Sequence, residues 1–167
     1  SGAVSISFAF LIFLILLFTV VAFSFLVNTK TKIVLLIYLI INIGYTFYLK
    51  HIPVLDIFTI ASGFLIRAIA GAVVIDANIT KWFLITIFML SLTIASVKRR
   101  GEYFIKEESR RKVLKEYNLE ILDIFVSLSA ISALLTYCIF ALTYEIKSLY
   151  ITIPPALYGI MRYLYIS

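Results

Sequence analysis

Six runs of predominantly apolar residues constrain this chain more than any other feature. They cover residues 3–27, 33–49, 57–75, 82–97, 121–142 and 149–166. A helix rising about 1.5 Å per residue needs about 20 residues to cross the hydrocarbon core of a bilayer. The second and fourth runs are short but sufficient. The first lacks a basic residue ahead of it, is too long for the apolar core of a signal peptide, and is followed by five more runs, so it reads as a span. The expectation is an all-α, polytopic transmembrane helical bundle, with residues 1–167 forming one transmembrane domain. Composition agrees: 63% of residues are hydrophobic, 14% are charged and mean hydropathy is +1.08, well beyond the roughly half-apolar usage of water-soluble domains.

The short turns between runs alternate from one side of the membrane to the other, and Lys and Arg accumulate on one of them. That side holds Lys50, Lys98, Arg99, Arg100, Lys106, Arg110, Arg111, Lys112, Lys115 and Arg162, whereas the other holds Lys30, Lys32, Lys81 and Lys147. Positive residues mark the cytoplasmic side, so both ends of the chain and the long segment 98–120 are expected there. Trp82, Tyr144 and Tyr150 then fall at the outer interface, and Tyr163 and Tyr165 at the inner one. The net charge of +6 belongs to these loops and gives no reason to expect nucleic acid. The single cysteine, Cys138, lies within the fifth run, where it is most simply a packing residue, and a lone cysteine excludes an internal disulfide. The distal half of the long segment is a solvated basic loop or, over residues 107–117, a short interfacial helix.

Two constellations carry chemistry. The first is the stretch YTFYLKHIPVLD at residues 45–56, followed within the third run by Gly63, Arg67 and Gly71. An arginine near mid-span is costly against lipid, so it should face a partner or a cavity. Asp56 and Arg67 are about three helical turns apart, on nearly the same face and separated by about 16 Å along the axis. Arg67 is either an anion-binding group or a structural cation held by carbonyls or by a carboxylate on another helix. Lys50 alone reads as an interfacial side chain, Asp56 alone as a helix cap, and the single His51 offers no zinc-site spacing. The second constellation is Lys98-Arg99-Arg100-Gly101-Glu102. It is either a positive-inside signal or a flexible turn able to gather anionic oxygens and a metal. No phosphate-binding Walker loop, dinucleotide fingerprint, nucleophile elbow or HExxH motif is present, leaving the corresponding soluble-type enzyme classes without support.

The stretch 45–56, the pattern Ala61-Ser62-Gly63-Phe64-x-x-Arg67-Ala68-x-Ala70-Gly71, the triplet Trp82-Phe83-Leu84, the run Lys98-Arg99-Arg100-x-Glu102 and the pattern Tyr158-Gly159-x-x-Arg162-Tyr163 have a family counterpart. Together they make the sequence resemble the UbiA superfamily of membrane prenyltransferases, closest to the branch typified by decaprenyl-phosphate 5-phosphoribosyltransferase. The resemblance implies a nine-span fold around a central cavity, of which this chain would supply the third through eighth spans. The family's first motif, an Asn-Asp-x-x-Asp stretch that binds magnesium and a diphosphate, does not occur in the sequence. Mg2+ is therefore expected as a cofactor with ligands mainly outside these residues, no metal ligand is assigned within them, and the chain alone is expected to be inactive.

Aromatic prenyltransferases of the superfamily usually carry a second Asp-rich motif where this sequence has Lys98 to Glu102. The resemblance thus implies phosphoribosyl transfer, with a polyprenyl phosphate as nucleophile and phosphoribosyl diphosphate as donor. On that reading the candidate catalytic residues are Lys50, Asp56 and Lys98, and the candidate substrate-binding residues are Tyr45, Arg67, Arg99, Arg100 and Glu102. Two alternatives stand beside it: another UbiA-type enzyme moving an isoprenoid from its diphosphate to an aromatic or polar-lipid acceptor, and a transporter or channel segment with Arg67 in its path.

Overall fold

The computed structural model describes residues 5–24, 27–104, 117–144 and 148–166. Six α-helices follow one another: α1 (Ile6–Ser24), α2 (Thr29–Phe47), α3 (Leu55–Val74), α4 (Lys81–Tyr103), α5 (Leu119–Thr143) and α6 (Ile153–Ile166). Each matches one apolar run. Four of them, α2 to α5, are long and apolar enough to cross a membrane. The sixth run is not one helix: residues Leu149–Thr152 form a 3-10 turn before α6. Pro154 and Pro155 account for the break, because a residue without an N–H is tolerated in the first helical turn but not further in.

Local sequence explains where the helices begin. Asn28 Oδ1 accepts the Thr31 amide at 2.8 Å at the start of α2, Thr80 Oγ1 accepts the Phe83 amide at 3.2 Å at α4, and Asn118 caps α5. These caps satisfy amide donors that have no carbonyl partner within the helix. The start of α3 lacks a capping side chain of its own and is treated below. α2 to α6 pack in sequence order, each against the next. Small residues line the seams: Ala61 and Gly63 on α3, Ser91, Ala95 and Ser96 on α4, and Ser129, Ala130 and Ala133 on α5 are buried. Small side chains let helix backbones approach closely where dispersion, rather than water exclusion, drives association. The outward faces are leucine, isoleucine and phenylalanine, largely exposed, as lipid contact requires.

Two expectations change. α4 continues through Tyr103, so the first residues of the segment 98–120 are helical, and Lys98 to Glu102 is not a flexible turn. The expected interfacial helix at 107–117 lies outside the described residues except for Tyr117, which is not helical. A buried core lies at this same end, where Ile57, Ala95, Tyr117 and Leu122 pack together, backed by Ile60, Leu92, Tyr103 and Phe125. That core is the floor of the site.

Candidate active site

Arg99, in the penultimate turn of α4 and 1% exposed, is held by three side chains. Its Nε donates to Asp56 Oδ2 at 2.6 Å, its Nη1 to Glu102 Oε2 at 2.7 Å, and its Nη2 to the Tyr45 hydroxyl at 3.3 Å. A guanidinium presents donors in a rigid planar fork, and here three sides of the fork are engaged. Asp56 is fully buried in the first turn of α3, where a carboxylate opposes the positive helix N-terminus, and Arg99 lies near the negative end of α4. Asp56 is therefore not a side-chain cap: its carboxylate turns sideways onto α4.

A residue that sequence reading passed over completes the cluster. Tyr117, just ahead of α5, sends its hydroxyl to Asp56 Oδ1 at 2.9 Å while accepting the Val54 amide at 2.5 Å. Burial raises the affinity of its phenol for the proton, because an apolar surrounding disfavours phenolate. Tyr117 thus remains a donor to Asp56. No sequence signal marks it, since it lies 61 residues from Asp56.

Arg67 occupies a different setting. Its Nε donates to the Gly63 carbonyl at 3.1 Å, and its guanidinium lies over Phe64 at 4.3 Å and Tyr38 at 5.6 Å. Aromatic faces attract a cation, yet no carboxylate among the described residues pairs with it. It opens on a small cavity of about 100 Å³ between α2 and α3, walled by Asn42, Tyr45, Thr59, Ile60 and Gly63. Tyr45 belongs to both places, the wall of this cavity and the coordination of Arg99.

Four of the sequence-chosen residues, Tyr45, Asp56, Arg99 and Glu102, therefore meet in one cluster, and Arg67 stands apart from it on the cavity that Tyr45 also lines. The rest do not converge there. Lys50 is half-buried in the 3-10 turn Leu49–His51 and Lys98 is exposed on α4, and neither makes an ion pair with a described residue. Arg100 turns away to α5, where its Nε meets Asp123 at 2.5 Å. No three His, Cys, Asp or Glu side chains gather among the described residues, and the two carboxylates of the cluster are both committed to Arg99. Magnesium prefers an octahedral set of oxygens, usually with one or two carboxylates supplied by the protein. The described residues do not fit it.

No family model matches the chain. Curated relatives do. The sequence is 37% identical to decaprenyl-phosphate phosphoribosyltransferase of Mycolicibacterium smegmatis over 121 residues, 71% of this chain and 38% of that protein. The enzyme of the same description from Mycobacterium tuberculosis is 32% identical over 144 residues, 84% of this chain and 48% of the relative. That from Corynebacterium glutamicum is 34% identical over 106 residues, 62% and 32% respectively. The chain is homologous to these decaprenyl-phosphate phosphoribosyltransferases over much of its length. The matches span less than half the length of each relative. The long apolar helices α2 to α5 make the chain part of an integral, multi-pass membrane protein.

Proposed function

We propose that this segment belongs to an enzyme that transfers a 5-phosphoribosyl group from phosphoribosyl diphosphate to a polyprenyl phosphate. An oxygen of the lipid phosphate forms a bond to the anomeric carbon of the ribose. The bond from that carbon to the diphosphate breaks, and its electron pair leaves with pyrophosphate. The nucleophile is already ionised near neutral pH, so the reaction needs no strong general base. Catalysis then rests on positioning and on cations that meet the charge growing on the leaving group.

The observation that carries this reading is Arg67, an arginine within an apolar helix, without a carboxylate partner among the described residues, opening on a small cavity that has Asn42, Tyr45 and Thr59 in an otherwise apolar wall. Two of its guanidinium nitrogens suit a substrate phosphate, which accepts a planar fork bidentately. Homology to enzymes that by their description act on a polyprenyl phosphate supports the choice of anion. Lys50 and Lys98, which form no ion pair with a described residue, supply the positive potential at the mouth that stabilises departing pyrophosphate. Arg99 acts differently. Held by Asp56 and Glu102, it fixes the Tyr45 hydroxyl at the cavity wall. Asp56 and Glu102 act by orienting that cation, and Arg100 anchors α4 to α5. Magnesium would be held by residues outside the described ones. The end of the bundle that carries these residues faces the cytoplasm, and all six helices span or enter the bilayer.

The test uses membranes containing the protein as its gene encodes it, supplied with magnesium, a polyprenyl phosphate and phosphoribosyl diphosphate labelled in the ribose. Label should pass to the lipid extract. Consumption of an isoprenoid diphosphate without consumption of phosphoribosyl diphosphate would replace this reading with prenyl transfer. Accumulation of unaltered substrate inside sealed vesicles would replace it with transport.

A further inference from the structure

Helix α3 begins on an unusual turn. Val54 has φ 68° and ψ −49°, and the Leu55 amide bonds back to the Pro53 carbonyl at 2.8 Å. This is a γ-turn of the rare positive-φ hand, strained for any L-residue and more so for one branched at Cβ. Pro53 fixes the entry to the turn. Val54 is also where a capping side chain would stand, and it has none to offer. Strain of this kind persists only when surrounding contacts over-determine it, and it gathers at functional sites.

The contact that holds it comes from a distant part of the chain. The Tyr117 hydroxyl takes the Val54 amide and gives its own proton to Asp56, two residues further along the same turn. Tyr117 is 6% exposed, with its ring edge-on to Phe125 at 6.4 Å, so the hydroxyl is aimed by packing. Asp56 passes that orientation to Arg99, and Arg99 to Tyr45 at the wall of the Arg67 cavity.

We propose that Tyr117 is a positioning residue. Its hydroxyl latches the strained Val54 turn and sets the Asp56 carboxylate, so that the chain entering α5 controls the geometry of the cavity between α2 and α3. Two bonds from one hydroxyl connect segments that sequence separates by 63 residues. The latch itself does not depend on which reaction the site performs. Its effect on turnover rests on the phosphoribosyl-transfer reading.

The experiment uses the gene-encoded protein in lipid nanodiscs and compares wild type, Tyr117→Phe, Val54→Gly and the double variant. Phenylalanine keeps the ring packing and deletes only the hydroxyl. Glycine adopts positive φ without strain, so it should remove the need for a latch. Amide hydrogen exchange over residues 52–57 should quicken about tenfold or more in Tyr117→Phe. kcat for phosphoribosyl transfer should fall at least fivefold with KM for the donor unchanged within twofold. Val54→Gly in the Tyr117→Phe background should restore at least half of the lost kcat, a rescue that a merely structural tyrosine would not show. Unchanged exchange in Tyr117→Phe, or a Val54→Gly change that deepens its defect, would overturn the proposal. Exchange reports on the latch even if wild type transfers no phosphoribosyl group, so failure of the latch and failure of the reaction are told apart.

Discussion

Removing Arg99 should harm the protein far more than removing Asp56, although the two form one ion pair. Arg99 is a single positive charge between two carboxylates, Asp56 at 2.6 Å and Glu102 at 2.7 Å, so the trio carries a net charge of −1. Arg99→Met leaves −2, with Asp56 still buried and Tyr117 its remaining side-chain partner among the described residues. Asp56→Asn leaves a neutral Arg99–Glu102 pair, and the amide oxygen still accepts from Tyr117. Stranding a buried charge costs about 3–5 kcal/mol, whereas losing one charge-assisted hydrogen bond while the cation keeps a second partner costs about 1.5–3 kcal/mol. The gap of about 2 kcal/mol is close to a thirtyfold difference in the unfolding constant. Reversible denaturation of the purified, gene-encoded protein in mild detergent measures it. The double variant Arg99→Met/Asp56→Asn, back at −1, should be more stable than Arg99→Met alone. If Asp56→Asn destabilises as much as Arg99→Met, or the double variant is the least stable of the three, the charge reasoning is wrong.

Other outcomes follow from the same geometry. Arg67→Lys should lower turnover at least about tenfold through loss of the bidentate fork, a contact worth about 1.5–3 kcal/mol. Arg67→Met should lower it further, and Lys81→Ala, at the opposite end of α4, should leave it unchanged in the same initial-rate assay. In a Cys138→Ser background, cysteines placed at the exposed positions His51 and Asn78 should label from opposite sides of intact cells, with only position 78 reached from outside. Arg100→Ala should change stability by no more than about 1 kcal/mol, because its pair with Asp123 is partly exposed to solvent. Tyr117 takes up its proton more tightly when folded, so the folded state holds a proton that the unfolded state releases near pH 10. Its contribution is complete below that pH and is lost as pH rises above it, and Tyr117→Phe should remove this alkaline loss from a denaturation series.

The helices were legible because lipid imposes a single rule, and six apolar runs gave six helices. The boundaries that moved have local causes: Pro154 and Pro155 shortened the last helix, and α4 ran on through Gly101 because nothing between Lys98 and Tyr103 forbids helical geometry. Periodicity placed Asp56 and Arg67 along one face of α3, and Arg67 does open on the groove beside that face. It could not show that Asp56 would be taken by Arg99, since pairing between helices depends on which turns meet across a seam of small residues. Tyr117 was hidden for the same reason. The turn at Val54 was hidden more deeply, because valine is among the last residues that composition would place at positive φ.

Phosphoribosyl transfer is tested most directly by following both substrates through one turnover of the gene-encoded protein, with ³²P in the polyprenyl phosphate and ¹⁴C in the ribose of phosphoribosyl diphosphate. A single lipid product should carry both labels in equal amounts, with one pyrophosphate released for each. Pyrophosphate release with the two labels in separate products, or a lipid that gains no ¹⁴C while an isoprenoid diphosphate is consumed, would contradict it.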